Sequence, residues 1–277
     1  MINYYKTAGN RINTATNQMK KVSLLSIILA LGLLTSCGGG KAADRGPIGP
    51  NQMTMTSKAT GEVEIKLSGK GEAVIDWGDG SPRDTVALKS MTNRCSHTFD
   101  NETERTIRVA GETITSLTLE KVNMSTLDVS QNPLLQVLNC GKNDLATIDL
   151  SANTALTDLY CGANQLTTLD LSKNTALKML SCGQIKNLKT IDLSANTALG
   201  SISFQWGNLQ SLDLSANTAL KVLYCDENDF STDALNALLK SLHGNAIEGK
   251  KIYIAKNPGT NDCDPSIAMD KGWVVNK

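Results

Sequence analysis

The chain has 277 residues and equal numbers of basic and acidic residues, 27 of each, so its formal net charge is zero. Residues 1–36 hold four of the basic residues and no acid, which leaves 23 basic against 27 acidic residues in the rest and argues against a nucleic-acid partner, because phosphate neutralisation needs clustered Lys and Arg. Aromatic residues make up only 4% of the chain, which suits a stack of thin coils better than one thick globular core.

The N-terminus has the organisation of a processing signal. A Lys20-Lys21 pair precedes an apolar run over residues 22–34, which has the length of a secretory h-region and is too short to span a bilayer as a helix. The run ends in Leu34-Thr35-Ser36-Cys37, which resembles a bacterial lipobox and implies cleavage before Cys37 and a lipid on its thiol. We therefore expect a lipoprotein signal peptide over residues 1–36, starting at Met1 or Met19. An uncleaved anchor helix is the alternative.

The segment after Cys37 predicts a flexible tether. Residues 37–53 contain three consecutive glycines and two prolines and have too little apolar content to fold alone. We therefore expect an outer-membrane lipoprotein held by its N-terminal lipid, at the cell surface or on the periplasmic face.

In residues 54–111, apolar and polar residues alternate with a period of two, which is typical of β-strands. The alternation predicts one strand over residues 63–67 and another over residues 73–77, joined by a turn at residues 68–71. The segment Trp77-Gly78-Asp79-Gly80, followed by His97-Thr98-Phe99, resembles the PKD-type β-sandwich, a common extracellular spacer domain.

Three carboxylates in this module raise the alternative of a calcium loop, because hard cations bind several carboxylates on one turn. Asp76, Asp79 and Asp84 do not match the spacing of such a loop, and Asp-Gly is ordinary tight-turn chemistry. His97 has no partner with metal-ligand spacing. We interpret all four residues as structural.

Residues 112–230 contain a short sequence motif that recurs at a nearly fixed spacing, which predicts a solenoid. The coils are spaced by 21 residues, except for one step of 22 whose extra residue falls in residues 183–187; they begin at Leu135, Leu156, Leu177, Leu199 and Leu220. A looser copy at residues 114–119 and a later one at residues 252–257 bring the number of expected parallel strands to seven.

The repeat resembles the bacterial leucine-rich repeat family of the internalin-like kind, common in Bacteroidetes-type surface lipoproteins, over residues 112–277. The resemblance implies a curved right-handed solenoid that presents a β-sheet for protein binding. One difference is that Cys or Phe stands at the third core position, where the family has Leu; these residues are Cys140, Cys161, Cys182, Phe204 and Cys225. We expect the cysteines to pack in the core, because buried Cys behaves as a small apolar residue, with disulfides or zinc as alternatives.

Repeated polar positions fall into ladders, because equivalent residues stack about 4.8 Å apart. Two columns of Asn are expected to satisfy turn backbone as scaffold residues; they are Asn143, Asn164, Asn208 and Asn228, and Asn132, Asn153, Asn174, Asn196 and Asn217. A row of carboxylates is expected to be a solvated edge, with calcium or a basic partner as the alternative; it comprises Asp128, Asp149, Asp170, Asp192 and Asp213.

The outward strand positions vary between coils while the second half of each coil hardly varies, so partner-specific chemistry is expected on the strands. Tyrosine and tryptophan supply rigid contact area with a polar tip. The predicted partner-binding residues are Tyr160, Tyr224, Asp158, Met179, Tyr253 and Trp206.

Residues 231–277 predict a C-terminal cap that contains the final coil. Leu235, Leu238, Leu239 and Leu242 fall on one helical face, Ser231 or Thr232 is the expected N-cap, and Gly244 ends the run. A short helix is expected near residues 265–271, with Trp273 as a cap anchor.

The fold class expected is therefore mainly β: a leucine-rich-repeat solenoid of 21–22-residue coils, a small N-terminal β-sandwich and a C-terminal helical cap. The function expected is protein binding, in adhesion or in contact with a host or another partner, by a monomer. The alternatives are a structural spacer, an accessory subunit of an envelope complex, or a glycan-binding module. We predict no enzymatic activity, cofactor or metal, because no nucleophile lies beside a base in the repeats.

Overall fold

The computed structural model describes residues 46–277. The predicted signal peptide, the lipidation site Cys37 and most of the predicted tether lie outside the described residues. Within residues 46–277, no helix is both long and apolar enough to cross a bilayer.

The N-terminal part of the described chain is built from long antiparallel strands. They are β1 (Met53–Ser57), β2 (Gly61–Asp76), β3 (Asp84–Ala87), β4 (Asn93–Phe99), β5 (Arg105–Thr118) and β6 (Met124–Asp128). Strand β2 pairs with β3, β4 and β5, while β1 lies between β5 and β6. The predicted boundary between residues 111 and 112 falls inside β5, which continues from this part into the repeats.

The prediction of a hairpin turn at residues 68–71 is wrong. Strand β2 runs through this segment and stays paired with β5 on both sides of it, with register shifts after Ser68 and after Lys70. Glycine makes this possible, since a Cβ on Gly69 would lie 1.9 Å from the Thr113 carbonyl oxygen and Gly71 has a φ of +81°. The two glycines form bulges in a continuous strand, and the period-two pattern alone does not distinguish a bulge from a turn.

Short parallel strands continue the sheet through the repeats. They are β7 (Val137–Asn139), β8 (Asp158–Tyr160), β9 (Met179–Ser181), β10 (Ser201–Ser203), β11 (Val222–Tyr224), β12 (Lys251–Tyr253) and β13 (Val274–Asn276). With the end of β5 they give eight parallel neighbours in the order β13-β12-β11-β10-β9-β8-β7-β5. The described residues therefore form a mainly β solenoid. Strand β13 adds one coil to the seven predicted.

The register of the parallel strands follows the sequence repeat throughout. Ser116 pairs with Val137 at the start of the stack, and Met179 pairs with Ser201 across the 22-residue step. The extra residue lies between these strands, so it lengthens a turn and leaves the strand register unchanged.

Two ladders of buried Asn side chains hold the coils together, and they differ in how completely they are bonded. In the first, Asn164 Oδ1 accepts from Leu145 N at 3.0 Å, and its Nδ2 donates to the carbonyl oxygens of Cys140 and Cys161 at 3.0 and 2.8 Å. In the second, Asn153 Nδ2 donates to two carbonyl oxygens, but its buried Oδ1 accepts from no described residue.

The structure corrects one member of the first ladder. Gly207 takes the ladder position of its coil, and a Cβ there would lie 2.6 Å from Asn228 Oδ1. Asn208 lies one residue further along the chain and is half-buried, so its predicted place in the ladder is wrong. Asn257 extends the ladder, because its Oδ1 accepts from Asn228 N and Phe230 N.

Two helices lie at the C-terminal end, α1 (Thr232–Ser241) and α2 (Ser266–Met269). Ser231 is the N-cap of α1 and its Oγ accepts from Ala234 N, as expected for a helix start. The buried face of α1 contains Leu235, Leu238 and Leu239, while Leu242 is the C-cap, two residues before Gly244. Trp273 is buried, and its Nε1 donates to the His243 carbonyl oxygen at 2.9 Å.

Candidate functional site

The outward face of the parallel strands carries most of the predicted partner-binding residues. Each strand from β7 to β11 buries its central residue and leaves the flanking two half-exposed, so two outward columns run along the stack. The strand pairings place Asp158 beside Met179 in one column, and Tyr224 beside Tyr253 in the other. Tyr160 lies in the same column as the two other tyrosines, three coils before Tyr224.

Contacts between neighbouring coils fix the orientation of these aromatic rings. Tyr224 and Tyr253 stack with ring centroids 4.7 Å apart and planes 15° from parallel. The Tyr160 hydroxyl donates to Met179 Sδ at 2.8 Å, so this side chain leans across the sheet towards the next coil. Ordered rings lose little conformational freedom when a ligand packs on them, which favours binding.

Trp206, the remaining predicted residue, lies in the turn that follows β10 and not on the strand. Its side chain is 45% exposed, whereas Trp77 and Trp273 are buried. Its indole hydrogen-bonds to Glu227, whose carboxylate also accepts from Lys256 Nζ at 2.7 Å. The hydrogen bonds from Lys256 and Trp206 lower the pKa of Glu227, with the Lys256 bond the larger cause.

Trp206 belongs to a third column that recurs once per coil in the left-handed backbone region. These residues are Lys121, Lys142, Ala163, Gln184, Trp206, Glu227 and Lys256, with φ between 54° and 61°. Left-handed geometry costs a residue other than glycine about 1–2 kcal/mol. The turn therefore imposes its backbone conformation whatever side chain the coil carries, and we call this row the left-handed column.

A depression of about 390 Å³ lies between the tyrosine column and the left-handed column. Its walls include Tyr160, Gln184, Gln205 and Trp206. In three successive coils, the residue that directly precedes the left-handed position is a glycine that also lines the depression; these are Gly141, Gly162 and Gly183. The sequence prediction included Tyr160 and Trp206 but missed the glycines and glutamines. The repeated Cys-Gly pair was the signal for them, since a recurring glycine marks a close backbone approach.

The glycines are required because the coils approach each other closely here. A Cβ on Gly162 would lie 2.7 Å from the Gly183 carbonyl oxygen, and one on Gly183 would lie 2.6 Å from the Gln205 carbonyl oxygen. Gly141 N donates to Asn139 Oδ1 at 3.1 Å. The equivalent N–H groups of Gly162 and Gly183 have no acceptor among the described residues, because Tyr160 and Ser181 replace Asn139 in their coils.

The Asp row on the opposite side of the coils is explained by turn structure. In each coil, the Oδ1 atom accepts from the backbone N of the Ser two residues later at 2.8 or 2.9 Å. These backbone hydrogen bonds are the main cause that lowers the pKa of Asp149, Asp170 and Asp192. A depression of about 540 Å³ separates Asp192 and Asp213 from α1. The carboxylates around it are engaged in their own turns.

The cysteine column differs from the prediction at one pair. Cys161 and Cys182 are joined by a disulfide between adjacent coils, with their Cα atoms 5.1 Å apart. Plain packing does describe Cys140 and Cys225, which are buried thiols. Burial raises the pKa of both, that of Cys140 to about 12. Parallel neighbours in register lie within disulfide distance, so adjacent coils of this column can form such a bond.

The carboxylates near His97 form a structural cluster in the N-terminal strands. His97 Nε2 lies 2.6 Å from Asp79 Oδ2, and the His97 ring stacks on Trp77 with centroids 5.0 Å apart. Trp77 Nε1 donates to Asp84 Oδ2 at 2.7 Å. Burial acts to raise the pKa of Asp79, but hydrogen bonds with Ser81 and His97 outweigh it and lower the pKa to about 2. Within residues 46–277, no group of three or more His, Cys, Asp and Glu side chains is arranged to hold a metal ion.

Comparisons with known proteins give similarities of fold at low coverage. No family model matches the chain, and no curated protein matches it. Among solved structures, it is similar to the functional domain of InlJ from Listeria monocytogenes, described as including a cysteine ladder, with 25% identity, a TM-score of 0.31 and coverage of 55% of this chain and 41% of that one. For the internalin InlF of the same organism the identity is 23%, the TM-score 0.39 and the coverage 52% and 42%.

Internalin C2 of Listeria monocytogenes is also similar, at 16% identity and a TM-score of 0.38, over 59% of this chain and 80% of that one. The chain spans less than half the length of the first two. The description of these coils as leucine-rich repeats rests on the sequence repeat and on the in-register parallel strands.

Proposed function

We propose that the protein binds another protein through the two outward columns of its parallel strands. The observation that carries this proposal is that the coils differ on this face, while the Leu-Asp-Leu-Ser half of each coil stays nearly constant. Side chains that recur unchanged in every turn serve the turn structure itself. Recognition of one partner requires positions whose side chains differ from coil to coil. The stacked Tyr224 and Tyr253 provide the kind of rigid aromatic area that dominates protein interfaces.

The N-terminal sequence supports a lipid-anchored form of this protein in the cell envelope. In this proposal, residues 1–36 are removed, Cys37 carries the lipid, and residues 37–53 connect it to the folded part at the outer membrane. The PKD-like module over residues 54–111 acts as a spacer, residues 112–230 bind, and residues 231–277 cap the stack. The protein acts as a monomer without enzymatic activity.

Photo-cross-linking tests the binding face. A photoreactive amino acid is placed at Tyr224 in the full-length protein in intact producing cells, and at Asp192 as a control on the opposite side. We expect a discrete cross-linked protein from Tyr224 that is missing from Asp192. If the same protein is cross-linked from Asp192 alone, the assigned face is wrong; if neither position yields one, the spacer role replaces binding.

Affinity for the purified partner then tests the residues. Changing Tyr224→Ala together with Asp158→Ala should weaken binding by about 2 kcal/mol, or roughly thirtyfold, as for interface hot spots. The matched control is Asp170→Asn with Asp192→Asn, which removes charge from the other face but keeps an Oδ1 acceptor for the turn. Unchanged affinity of the first variant contradicts the proposal.

The lipid and the location have separate tests. Mass spectrometry of the N-terminal peptide should find a lipid on Cys37, and Cys37→Ser should move the protein from the membrane to the soluble fraction. Protease treatment of intact cells should degrade the solenoid if it faces outward, and should leave it intact if it faces the periplasm.

A further inference from the structure

The depression between the tyrosine column and the left-handed column has a chemistry that differs from the rest of the outward face. Its lining contains amide, hydroxyl and aromatic groups and no aliphatic side chain larger than that of Ala163. The charged residues at one end, Glu120 and Lys142, are paired with each other at 2.6 Å. An anionic ligand would need an available cation. None is present among the described lining residues, because Lys142 is paired with Glu120.

Hydrogen-bond donors and acceptors are, in contrast, abundant and held in place. The N–H groups of Gly162 and Gly183 occupy the position from which Gly141 donates to Asn139 Oδ1, so by equivalence they are directed at the tyrosine column. Gln205 Nε2 donates to Asp226 Oδ2 at 2.8 Å, which fixes this carboxamide on the wall. Half-exposed backbone donors without a protein acceptor favour a ligand that supplies oxygen atoms.

Two aromatic side chains complete the lining. Trp206 is the exposed tryptophan, held by its bond to Glu227 and by the left-handed turn, and Tyr160 is oriented through Met179. An aromatic face packs against an apolar face of a ligand, while the amides and hydroxyls bind its polar edge. A concave site of about 390 Å³ is within the usual size of small-ligand sites, which begins at about 300 Å³.

We infer that this depression binds a neutral sugar ring of a glycan. A pyranose combines a C–H face that packs on an aromatic ring with a rim of hydroxyl oxygens that accept from backbone N–H groups and exchange hydrogen bonds with carboxamides. Tyr160 and Trp206 bind the face of the ring, Gly162 and Gly183 donate to its hydroxyl oxygens, and Gln184 and Gln205 add carboxamides. The protein interface proposed above does not depend on this subsite, since it centres on Tyr224 and Tyr253.

Tryptophan fluorescence of the full-length protein tests the inference directly, in a detergent without a sugar headgroup. Trp206 is exposed while Trp77 and Trp273 are buried, so acrylamide quenching in residues 46–277 reports mainly on Trp206. The probes are the neutral trisaccharides maltotriose, cellotriose, mannotriose and tri-N-acetylchitotriose, with sialyllactose as the charged comparison. We expect at least one neutral trisaccharide to protect Trp206 from acrylamide in a saturable manner.

Matched variants locate the site. Tyr160→Ser, followed by fluorescence, and Trp206→Asn, followed by calorimetry, should each weaken binding of that trisaccharide by about tenfold, as expected for loss of one aromatic contact. Asn is chosen at position 206 because it tolerates the left-handed backbone, and circular dichroism checks that both variants fold. Tyr224→Ser, on the same column but outside the depression, should leave the affinity unchanged.

Three results would overturn the inference: no saturable protection by any neutral trisaccharide at millimolar concentration, binding of sialyllactose alone, or unchanged affinity in both variants. The result of this sugar-binding test can be distinguished from the result of the protein-interface test. If Tyr224→Ala abolishes partner binding while Trp206→Asn has no effect on the partner or on any trisaccharide, the protein interface stands and the glycan subsite fails.

Discussion

The two Asn ladders offer a quantitative test of how this solenoid is held together. Asn164 and Asn153 are both buried and both donate to carbonyl oxygens of neighbouring coils, yet removing them leaves different groups without partners. In Asn164→Ala, Leu145 N loses its acceptor and the Cys161 carbonyl oxygen loses its donor, while the Cys140 carbonyl oxygen still accepts from Asn143. Two orphaned buried groups at about 1–3 kcal/mol each predict a loss of roughly 4 kcal/mol.

Asn153→Ala should cost much less. The carbonyl oxygens of Val129 and Asn132 keep another donor, Asn132 N and Leu135 N respectively. The substitution also removes the Oδ1 atom of Asn153, which has no partner among the described residues. What remains is a small cavity, with a cost of about 1 kcal/mol.

Urea unfolding followed by circular dichroism measures both variants, and hydrogen exchange at Leu145 N reports the local effect. We expect Asn164→Ala to lower the free energy of unfolding by several times the loss in Asn153→Ala, and to speed exchange at Leu145. Equal losses, or a larger loss for Asn153→Ala, would refute the assignment of stability to completed hydrogen bonds.

Three further predictions follow from named contacts. Asp79→Asn should cost about 1 kcal/mol at neutral pH. The folded-state pKa of about 2 lies below the ordinary 3.8, so this stabilisation is present above pH 4 and is lost as the pH falls through 2. Gly183→Ala should cost about 2 kcal/mol because its Cβ meets backbone at 2.6 Å, whereas Gly200→Ala, with nothing closer than 3.9 Å, should be nearly neutral. Cys140 and Cys225 should resist alkylation in the native protein, because burial keeps both thiols protonated, and should react in urea.

Each of these has its own contradicting outcome. A stability difference for Asp79→Asn that persists undiminished below pH 2 would remove the ionic explanation. Equal unfolding midpoints for the two glycine variants would mean that the coils can separate at this turn. Peptide mapping that finds native Cys140 alkylated would show that the column is open to solvent.

The repeated part of the fold was predictable because the length of the sequence repeat gives the register between neighbouring strands. Counting 21 residues from Asp158 gives Met179, and the structure pairs them; the extra residue before Ser201 did not disturb this, since the buried strand leucines set the alignment. The strand at residues 274–276 was missed as a strand because it carries little of the repeat.

Other features required geometry that the sequence does not contain. The bulges at Gly69 and Gly71 look like a turn, because both need glycine. The Cys161–Cys182 disulfide depends on inter-strand distance, and the cysteine column alone did not distinguish bonding from packing. The depression beside Tyr160 joins residues of the strands to residues of the following turns, and the sequence does not show that these surround one concave space.

The left-handed column has a consequence for how the surface of this protein can change. Glycine or Asn would relieve most of the backbone cost at each of these positions, about 1–2 kcal/mol for other residues, yet Lys, Ala, Gln, Trp and Glu occupy them. Since the turn has the same shape with all of them, a substitution in this row alters the chemistry of the rim without moving the strands. The column is therefore a set of interchangeable positions, where a new specificity can arise by single substitutions while the scaffold stays intact.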